Sequence, residues 1–380
     1  MHSQQITWNP QAGWTPIKAE NVSVVFYFGT RQILSCGARY NELRDMFPGA
    51  HILGCSTGGQ INNNDISDDE IVAAAINFDA TRLHLVRQDI GDAQQSRKCG
   101  ETIGRALIRE DLAGVFVLSD GLNVNGSELV NGLVAAIGPN IPLTGGLAGD
   151  GADFAETLVG GDCVPRARMV VAVGFYGSAI RIGHGSAGGW DLFGPRRQVT
   201  RSTGNVLFEL DGEPALDLYE RYLGPEDSKG LPGSALLFPI QVHDANQPDS
   251  AVVRTVLAVD HEARSMTFAG DVPQGWTAQL MHGNFDRLAE GAADAARQAR
   301  IGLAGEGDHQ FSILVSCIGR RLLMGQRTGD EAEAAGAELG ADTLRFGFYS
   351  YGEISPHAKS GVCELHNQTM TVTTFAEVGA

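Results

Sequence analysis

The stretch Gly347–Thr374, GFYSYGEISPHAKSGVCELHNQTMTVTT, holds a polar segment between two runs that are typical of strands, Thr343–Tyr349 and Thr369–Phe375. The second run alternates and is rich in β-branched residues, which predicts a β-strand. Polar residues between two strands are expected in a loop at the end of a sheet, where binding chemistry tends to concentrate. The candidate binding residues of this loop are His357, His366, Cys363, Tyr349, Tyr351 and Glu353.

The bulk composition describes a globular protein and excludes some partners. A chain of 380 residues is long for a single core, so we expect two domains. The net charge of −17 disfavours nucleic acid and anionic membranes, because a phosphate surface finds no basic face. Basic runs such as Arg196–Arg197 and Arg320–Arg321 are too short to form such a face.

The cysteines and the termini point to the cytoplasm. The six cysteines include no CxxC pair and no metal-type spacing, so we expect reduced thiols. The first residues, MHSQQITWNP, lack the apolar core of a signal peptide. No apolar run approaches the roughly 20 residues that a membrane helix needs, so we expect no membrane association.

The order of predicted strands and helices favours an α/β (α+β) fold with mixed sheets rather than a doubly wound dinucleotide fold. We predict two domains, each with a mixed β-sheet flanked by helices. Residues 1–21 are expected to be a poorly ordered arm, residues 22–212 the first domain and residues 213–380 the second.

Two loops of the first half are further candidates for ligand binding. The segment Thr144–Gly151, TGGLAGDG, exposes backbone N–H groups that suit an anion, with Gly145, Gly146 and Asp150 as candidates, but it has no P-loop lysine. A second group follows a buried strand, where ligands bind in α/β sheets. Its members are Ser119, Asp120 and Asn123. Both groups are equally explained as turns and caps.

Five segments, taken in order along the chain, resemble the FIST family. They are GCSTGGQI at 54–61, LSDGLNVNGSELVNGL at 118–133, PLTGGLAGDGADF at 142–154, FELDGEPALDLYERYLG at 208–224, and the motif GFYSYGEISP…CELHNQTMT at 347–371. The resemblance implies a FIST N-terminal and a FIST C-terminal domain that sense a small molecule in signal transduction. The length and layout are similar to a stand-alone branch that binds haem, senses nitric oxide and signals to a histidine kinase.

Three functional hypotheses follow from this resemblance and from the residues. In the first, the protein is a haem-based nitric oxide sensor that regulates a histidine kinase, with His366, His357 or His184 as the axial ligand of the iron. In the second, it senses an amino acid or another small molecule through its polar loops, without haem. In the third, Cys363 and His366 form a thiol hydrolase, although residues three apart in a strand point to opposite faces. The oligomeric state is left open, including a homo-oligomer.

Overall fold

The computed structural model describes residues 1–303 and 310–378, with the backbone alone at residues 247–250. It is an α/β protein in which several mixed sheets are flanked by α-helices, so the predicted fold class is confirmed. Three similar units, residues 2–77, 82–176 and 180–377, build most of the structure. The third unit is interrupted by an inserted segment, residues 190–283.

The first two units each begin and end with a strand. The first unit consists of β1 (His2–Asn9), β2 (Gly13–Trp14), β3 (Val24–Gly29), α1 (Arg31–Leu34), α2 (Ala38–Met46), β4 (His51–Ser56), β5 (Gln60–Asn62), β6 (Asp65–Ser67) and β7 (Ile71–Asn77). The second consists of β8 (Arg82–Asp89), α3 (Ser96–Leu107), β9 (Leu112–Ser119), α4 (Gly126–Ile137), β10 (Leu143–Leu147), β11 (Val159–Gly161) and β12 (Met169–Tyr176).

The third unit begins with β13 (Ile180–Ala187). The inserted segment then forms β14 (Trp190–Thr203), β15 (Val206–Leu210), β16 (Glu213–Pro214), α5 (Ala215–Ser228), β17 (Ile240–Asp244), β18 (Gln247–Arg254), β19 (Val256–Asp260), β20 (Ser265–Phe268) and β21 (Thr277–Gly283). The unit resumes with α6 (Phe285–Ile301), β22 (Gln310–Cys317), α7 (Ile318–Met324), α8 (Gly329–Leu339), β23 (Leu344–Ser350), β24 (Gly352–Pro356), β25 (Cys363–His366) and β26 (Met370–Glu377).

Each unit builds a sheet of the same design. A parallel pair stands at the centre, β3 with β4, β9 with β10, and β22 with β23. An antiparallel strand, β7, β12 or β26, flanks the first member of each pair, and β1, β8 or β13 lies beyond it. A strand from another unit flanks the second member: β11 beside β4, β24 beside β10, and β5 beside β23. The units therefore exchange edge strands in a closed cycle.

This exchange carries two of the sheets across the predicted domain boundary at residue 212. Gly145–Leu147 pair with Gly352–Ile354, and Gln60–Asn62 pair with Phe346–Phe348. The inserted segment forms a fourth sheet of its own. The division at residue 212 stays a prediction.

The three sheets of the units share one aromatic core. Phe26 contacts Phe116 with ring centroids 5.4 Å apart, and Phe28 contacts Phe348 at 4.5 Å. All four rings are fully buried. Strand β3, VVFYFG, is apolar on both faces because the aromatic core covers one face and a second cluster, with Leu43 and Ile52, covers the other.

The helices lie outside the sheets and begin at recognisable caps. The side chain of Asn125 accepts a hydrogen bond from the N–H of Glu128 at the start of α4, and Asn284 does the same for Asp286 at the start of α6. Amphipathic helices such as α3 bury Ile103 and Leu107. In the described ranges, none of the helices has both the length and the apolar character that crossing a bilayer requires.

The prediction of a poorly ordered N-terminal arm is wrong for its first half, which forms a paired strand. Strand β1 pairs antiparallel with β7 over seven residues, from His2 opposite Asn77 to Trp8 opposite Ile71. The burial of its side chains does not alternate clearly between the two faces of the strand, and Ile6 is the one buried residue in it. The strand is formed by backbone pairing to a distant segment, which local sequence does not reveal.

The prediction of one loop between two strands at residues 347–374 is also wrong. This stretch contains four strands, β23 to β26, and β24 with β25 forms a hairpin that leaves its own sheet and joins β10. Gly352, Pro356 and Ser360 resemble turn residues locally. The edge of β10 supplies the backbone partners that make Gly352–Ile354 a strand.

Candidate functional site

Three loops that follow the second strand of each parallel pair meet in a closed ring. The N–H of Gly58 donates to the carbonyl of Tyr349 (2.8 Å), that of Gly149 donates to Ser56 (3.0 Å), and that of Tyr351 donates to Leu147 (3.2 Å). Each bond joins equivalent positions of two units. We call residues 56–59, 147–151 and 349–352 the three-loop ring. Because ligands of α/β sheets bind beyond the carboxyl ends of parallel strands, this ring marks the expected binding end.

The predicted anion-binding loop at 144–151 is partly strand and has little free backbone. Leu143–Leu147 form β10, and the N–H groups of Ala148 and Gly149 donate to Ser119 and Ser56. A Cβ on Gly145 would lie 1.9 Å from the carbonyl oxygen of Val117. The glycines therefore serve close strand packing rather than an anion cradle.

Two residues that the sequence proposed separately, Asp150 and Tyr351, are in direct contact. The hydroxyl of Tyr351 donates to the Asp150 carboxylate and, at 3.0 Å, to the carbonyl of Gly151. Asp150 also accepts from the N–H groups of Ala155 and Glu156, both at 2.9 Å. Burial, with the neighbouring carboxylate, raises the pKa of Tyr351. The pair holds the second loop of the ring against the third.

The candidates Ser119, Asp120 and Asn123 lie at the end of β9, as predicted, but their polar groups are used within the turn. The Asp120 carboxylate accepts from the N–H groups of Leu122 (2.8 Å), Asn123 (2.7 Å) and Arg168 (2.7 Å). The Ser119 hydroxyl donates to the Asp120 carbonyl at 3.0 Å. These contacts fit the alternative explanation for the group, a structural turn.

An open cleft of about 660 Å³ lies beside the ring. Its lining comes from the loops after β4 and β10, from the β5–β6 hairpin, and from α7 with the start of α8. The lining residues are Gly58, Asn64, Asp65, Ile66, Gly151, Ala152, Ile318, Arg321, Leu322, Gly325, Gln326, Thr328 and Gly329. Among these described residues, the charged ones are one cation, Arg321, and one anion, Asp65.

Arg321 is fixed at the edge of the cleft by several contacts. Its guanidinium group donates to both carboxylate oxygens of Asp68, at 2.7 and 2.6 Å, and to the carbonyl of Gly58. It also lies over the ring of Tyr349, 5.5 Å from the centroid. Sequence reasoning missed Arg321, Asp65 and Asp68. Arg321 follows β22, Gln310–Cys317, by four residues, so applying the strand-end rule to the apolar sequence of that strand would have found it.

The histidines His357 and His366 come together, and the Nε2 atom of each lies near a backbone carbonyl oxygen. The two rings stack with centroids 6.0 Å apart. The Nε2 of His366 lies 2.9 Å from the carbonyl oxygen of Ser355, and burial lowers the pKa of His366 to about 4. The Nε2 of His357 lies 3.3 Å from the carbonyl oxygen of Ala251, in the inserted segment.

The remaining histidine candidate, His184, lies in β13 of a different sheet and does not line the cleft. Burial lowers its pKa. A haem site needs an apolar pocket with an axial ligand such as histidine, and the described lining of the cleft includes no histidine. Within residues 1–303 and 310–378, no cluster of three or more His, Cys, Asp or Glu could hold a metal ion. The described residues that line the cleft therefore do not fit haem.

Cys363 and His366 do not form a catalytic pair. The Cys363 thiol donates to the carbonyl of Leu143 at 3.1 Å, whereas His366 contacts Ser355. Both lie in the short strand β25, where their spacing places them on opposite faces. Burial raises the pKa of the Cys363 thiol, which disfavours the thiolate.

Tyr349 and Glu353 belong to buried polar networks under the ring. The Tyr349 hydroxyl donates to Glu331 at 2.8 Å. The Glu353 carboxyl group is fully buried and accepts from the hydroxyls of Ser350 (2.7 Å) and Thr369 (3.0 Å). Burial raises the pKa of Glu353 to about 8. Both residues stabilise the strands that carry the third loop of the ring.

Comparisons with known proteins match almost the whole chain to two family models. The model of the FIST N domain matches residues 23–213, and that of the FIST C domain matches residues 215–356. No curated protein sequence matches the chain. Among solved structures, the chain is similar to the crystal structure of a cyanuric acid hydrolase from A. caulinodans, with 9% identity and a TM-score of 0.39 over 94% of this chain and 91% of that one.

Proposed function

The chain belongs to the FIST family, and on that premise we propose that it is a cytoplasmic sensory protein that binds an amino acid, or a similar small zwitterion, in the cleft beside the three-loop ring. FIST domains are sensor domains of signal transduction that bind small ligands. In this protein the cleft is the proposed ligand-binding site, and small zwitterions are the proposed class of ligand.

The single observation that carries the proposal is the charge pattern of the cleft. Arg321 supplies a guanidinium fork, whose geometry suits a carboxylate. Asp65, an exposed residue of the β5–β6 hairpin, supplies a carboxylate that suits an ammonium group. A zwitterion with both groups matches this pair of opposite charges, whereas a polyanion does not.

The position of the cleft supports the same proposal. Gly58 follows β4, Gly151 follows β10 and Ile318 follows β22, so the lining comes from the carboxyl ends of strands in all three units. Ligands of open α/β sheets bind at such ends. A ligand that contacts loops of all three units can change how the units pack, which is what a sensor requires.

A thermal-shift and calorimetric screen of the twenty amino acids tests this function. A ligand that binds only the folded state raises the melting temperature, so at least one amino acid should stabilise the wild type. Arg321→Lys should weaken its binding about tenfold, because lysine lacks the bidentate fork. Arg82→Lys, at an exposed ion pair with Asp111 outside the cleft, is the matched control and should bind as the wild type. A screen in which no amino acid stabilises the protein overturns the proposal.

The resemblance also implied a narrower hypothesis, a haem-based nitric oxide sensor that regulates a histidine kinase. A described cleft lining that includes no histidine counts against haem in the cleft. We therefore assign no step to haem. A visible spectrum of protein from haem-supplemented cells tests this: a Soret band that shifts with nitric oxide would reinstate the hypothesis, and His357→Ala, His366→Ala and His184→Ala would then identify the ligand. A histidine kinase is kept as the proposed signalling partner.

We also propose that the protein is not an enzyme of the thiol hydrolase type. The separate partners of Cys363 and His366 leave the thiol without a general base. Turnover that is lost on alkylation of Cys363 would contradict this proposal.

A further inference from the structure

We propose that Asp68 is a built-in competitor for the ligand's carboxylate. The Asp68 side chain fills the guanidinium fork of Arg321, and a ligand carboxylate that binds at this fork displaces it. This inference rests on the proposed function, because it names the carboxylate subsite of the same cleft and how that subsite is regulated.

The contact between Asp68 and Arg321 has the geometry of a bound carboxylate. Two nitrogens of the guanidinium group each donate to a different oxygen of Asp68, at 2.7 and 2.6 Å. This bidentate arrangement is the one that an amino acid's carboxylate would adopt on an arginine. Asp68 occupies the Nη1–Nη2 edge of the guanidinium group, and that edge can hold one carboxylate in this way, so Asp68 and a ligand carboxylate on the same edge would compete for it.

The two partners differ in how firmly they are held. The Asp68 side chain is 57% exposed, and the Arg321 side chain is 21% exposed. Arg321 also contacts the Gly58 carbonyl and the Tyr349 ring, and neither contact depends on Asp68. Gly59 permits this position, because a Cβ there would lie 2.0 Å from a guanidinium nitrogen. The Arg321 guanidinium group is therefore held in place, and the Asp68 carboxylate is the group that can be exchanged.

Asp68 lies in a segment that forms one wall of the cleft. It follows β6, which lies at the edge of the third sheet and pairs with β5. Asn64, Asp65 and Ile66 of the same hairpin line the cleft. An exposed ion pair contributes little to stability, so exchanging the Asp68 carboxylate for a ligand carboxylate on Arg321 costs little free energy. The exchange would release the end of this hairpin while the ligand engages Asp65, and so couples ligand binding to the hairpin's position.

The alternative is a salt bridge that only stabilises the fold. Removing the Asp68 charge would then leave the Arg321 fork unpaired and disturb the cleft wall, so ligand binding would stay the same or weaken. The competitor role therefore predicts a higher affinity after this substitution, and the alternative predicts an unchanged or lower one.

Isothermal titration calorimetry separates them. The probe is the amino acid that stabilises the wild type most in the thermal-shift screen. Asp68→Asn should bind it about two- to fivefold more tightly than the wild type, the range of an exposed ion pair. Asp69→Asn is the matched control: it removes the same charge from the neighbouring exposed residue and should leave the affinity unchanged.

The outcomes separate this inference from the proposed function. Tighter binding by Asp68→Asn alone, together with weaker binding by Arg321→Lys, supports the competitor role. Equal or weaker binding by Asp68→Asn, while the wild type binds, overturns the competitor role and leaves the proposed function standing. If no amino acid binds either the wild type or Asp68→Asn, the proposed function fails, and this inference fails with it.

Discussion

Arg320 and Glu331 form an ion pair in which neither side chain has any exposed surface and the Nε–Oε2 distance is 2.8 Å. The same guanidinium group donates to the carbonyl of Leu288 at 2.8 Å, and to that of Gly188. Glu331 in turn accepts from the hydroxyls of Ser316 and Tyr349, both at 2.8 Å. The pair thus joins α7 and α8 to the strand that leads into the three-loop ring.

Removing one member of this pair should destabilise the protein strongly. Glu331→Gln leaves the buried Arg320 charge without its counter-ion, and such losses cost about 3 to 5 kcal/mol. Urea unfolding followed by circular dichroism measures the change. Glu209→Gln, which breaks the exposed pair with Arg201, is the control and should cost much less. A loss at Glu331 no larger than that of the control would contradict the assigned role.

The stability of the protein should fall as the pH rises from about 4.5 to about 8 because of Glu353. Burial raises the pKa of this carboxyl group from 4.5 to about 8, so over this window the folded state keeps a proton that the unfolded state has lost. The slope for one proton is about 1.4 kcal/mol per pH unit. Unfolding free energies of the wild type and of Glu353→Gln, compared from pH 4 to pH 9, should differ in slope only inside the window. Parallel curves would contradict the prediction.

Alanine at Gly145 should be far less tolerated than alanine at Gly138. Both glycines have positive φ, +138° and +92°. A Cβ at Gly145 would also lie 1.9 Å from the Val117 carbonyl oxygen, whereas Gly138 has nothing within 4 Å. We expect Gly138→Ala to cost about 2 kcal/mol of unfolding free energy from backbone strain, and Gly145→Ala about 4 kcal/mol from strain and overlap. Equal losses in chemical unfolding would show that the strands can move apart at Gly145.

Cys363 should resist alkylation in the folded protein. Its thiol is buried, donates to Leu143 and has a raised pKa, so little thiolate forms and the reagent has no access. Cys36 is exposed and is the internal control. Iodoacetamide labelling followed by peptide mass spectrometry should modify Cys36 first and Cys363 only in denaturant. Rapid labelling of Cys363 at neutral pH would reopen the thiol hydrolase hypothesis.

Several parts of the fold could be predicted from local sequence because their signal is local. The apolar run in Val24–Gly29 and that in Leu112–Ser119 predict buried strands, since each is apolar at nearly every position. The strand Met370–Glu377 follows from its β-branched residues. Asp120 directly follows the apolar run Leu112–Ser119, so its position at the end of a strand could also be predicted. These features depend on neighbours within a few residues.

The candidate site was predicted less well. The sequence drew attention to histidines and a cysteine because those side chains have versatile chemistry, but in the structure their polar atoms contact backbone carbonyls at Ser355, Ala251 and Leu143. Arg321 was not predicted as a site residue, because two adjacent arginines in a sequence are only a weak indication of a binding site. Its importance comes from where the chain places it, at the edge of a cleft.

What the sequence determined by itself is the family, the α/β class and the identity of the buried strands, because ordered motifs and apolar runs are properties of short segments. The tertiary structure alone decided the three-unit design, the exchange of edge strands and the cleft. These depend on contacts such as that of Gly58 with Tyr349 or of Asp68 with Arg321, between residues more than 250 positions apart. A local sequence pattern does not show which distant strand edge will supply a hydrogen-bond partner. The pairing of edge strands between the units is therefore determined only when the chain has folded.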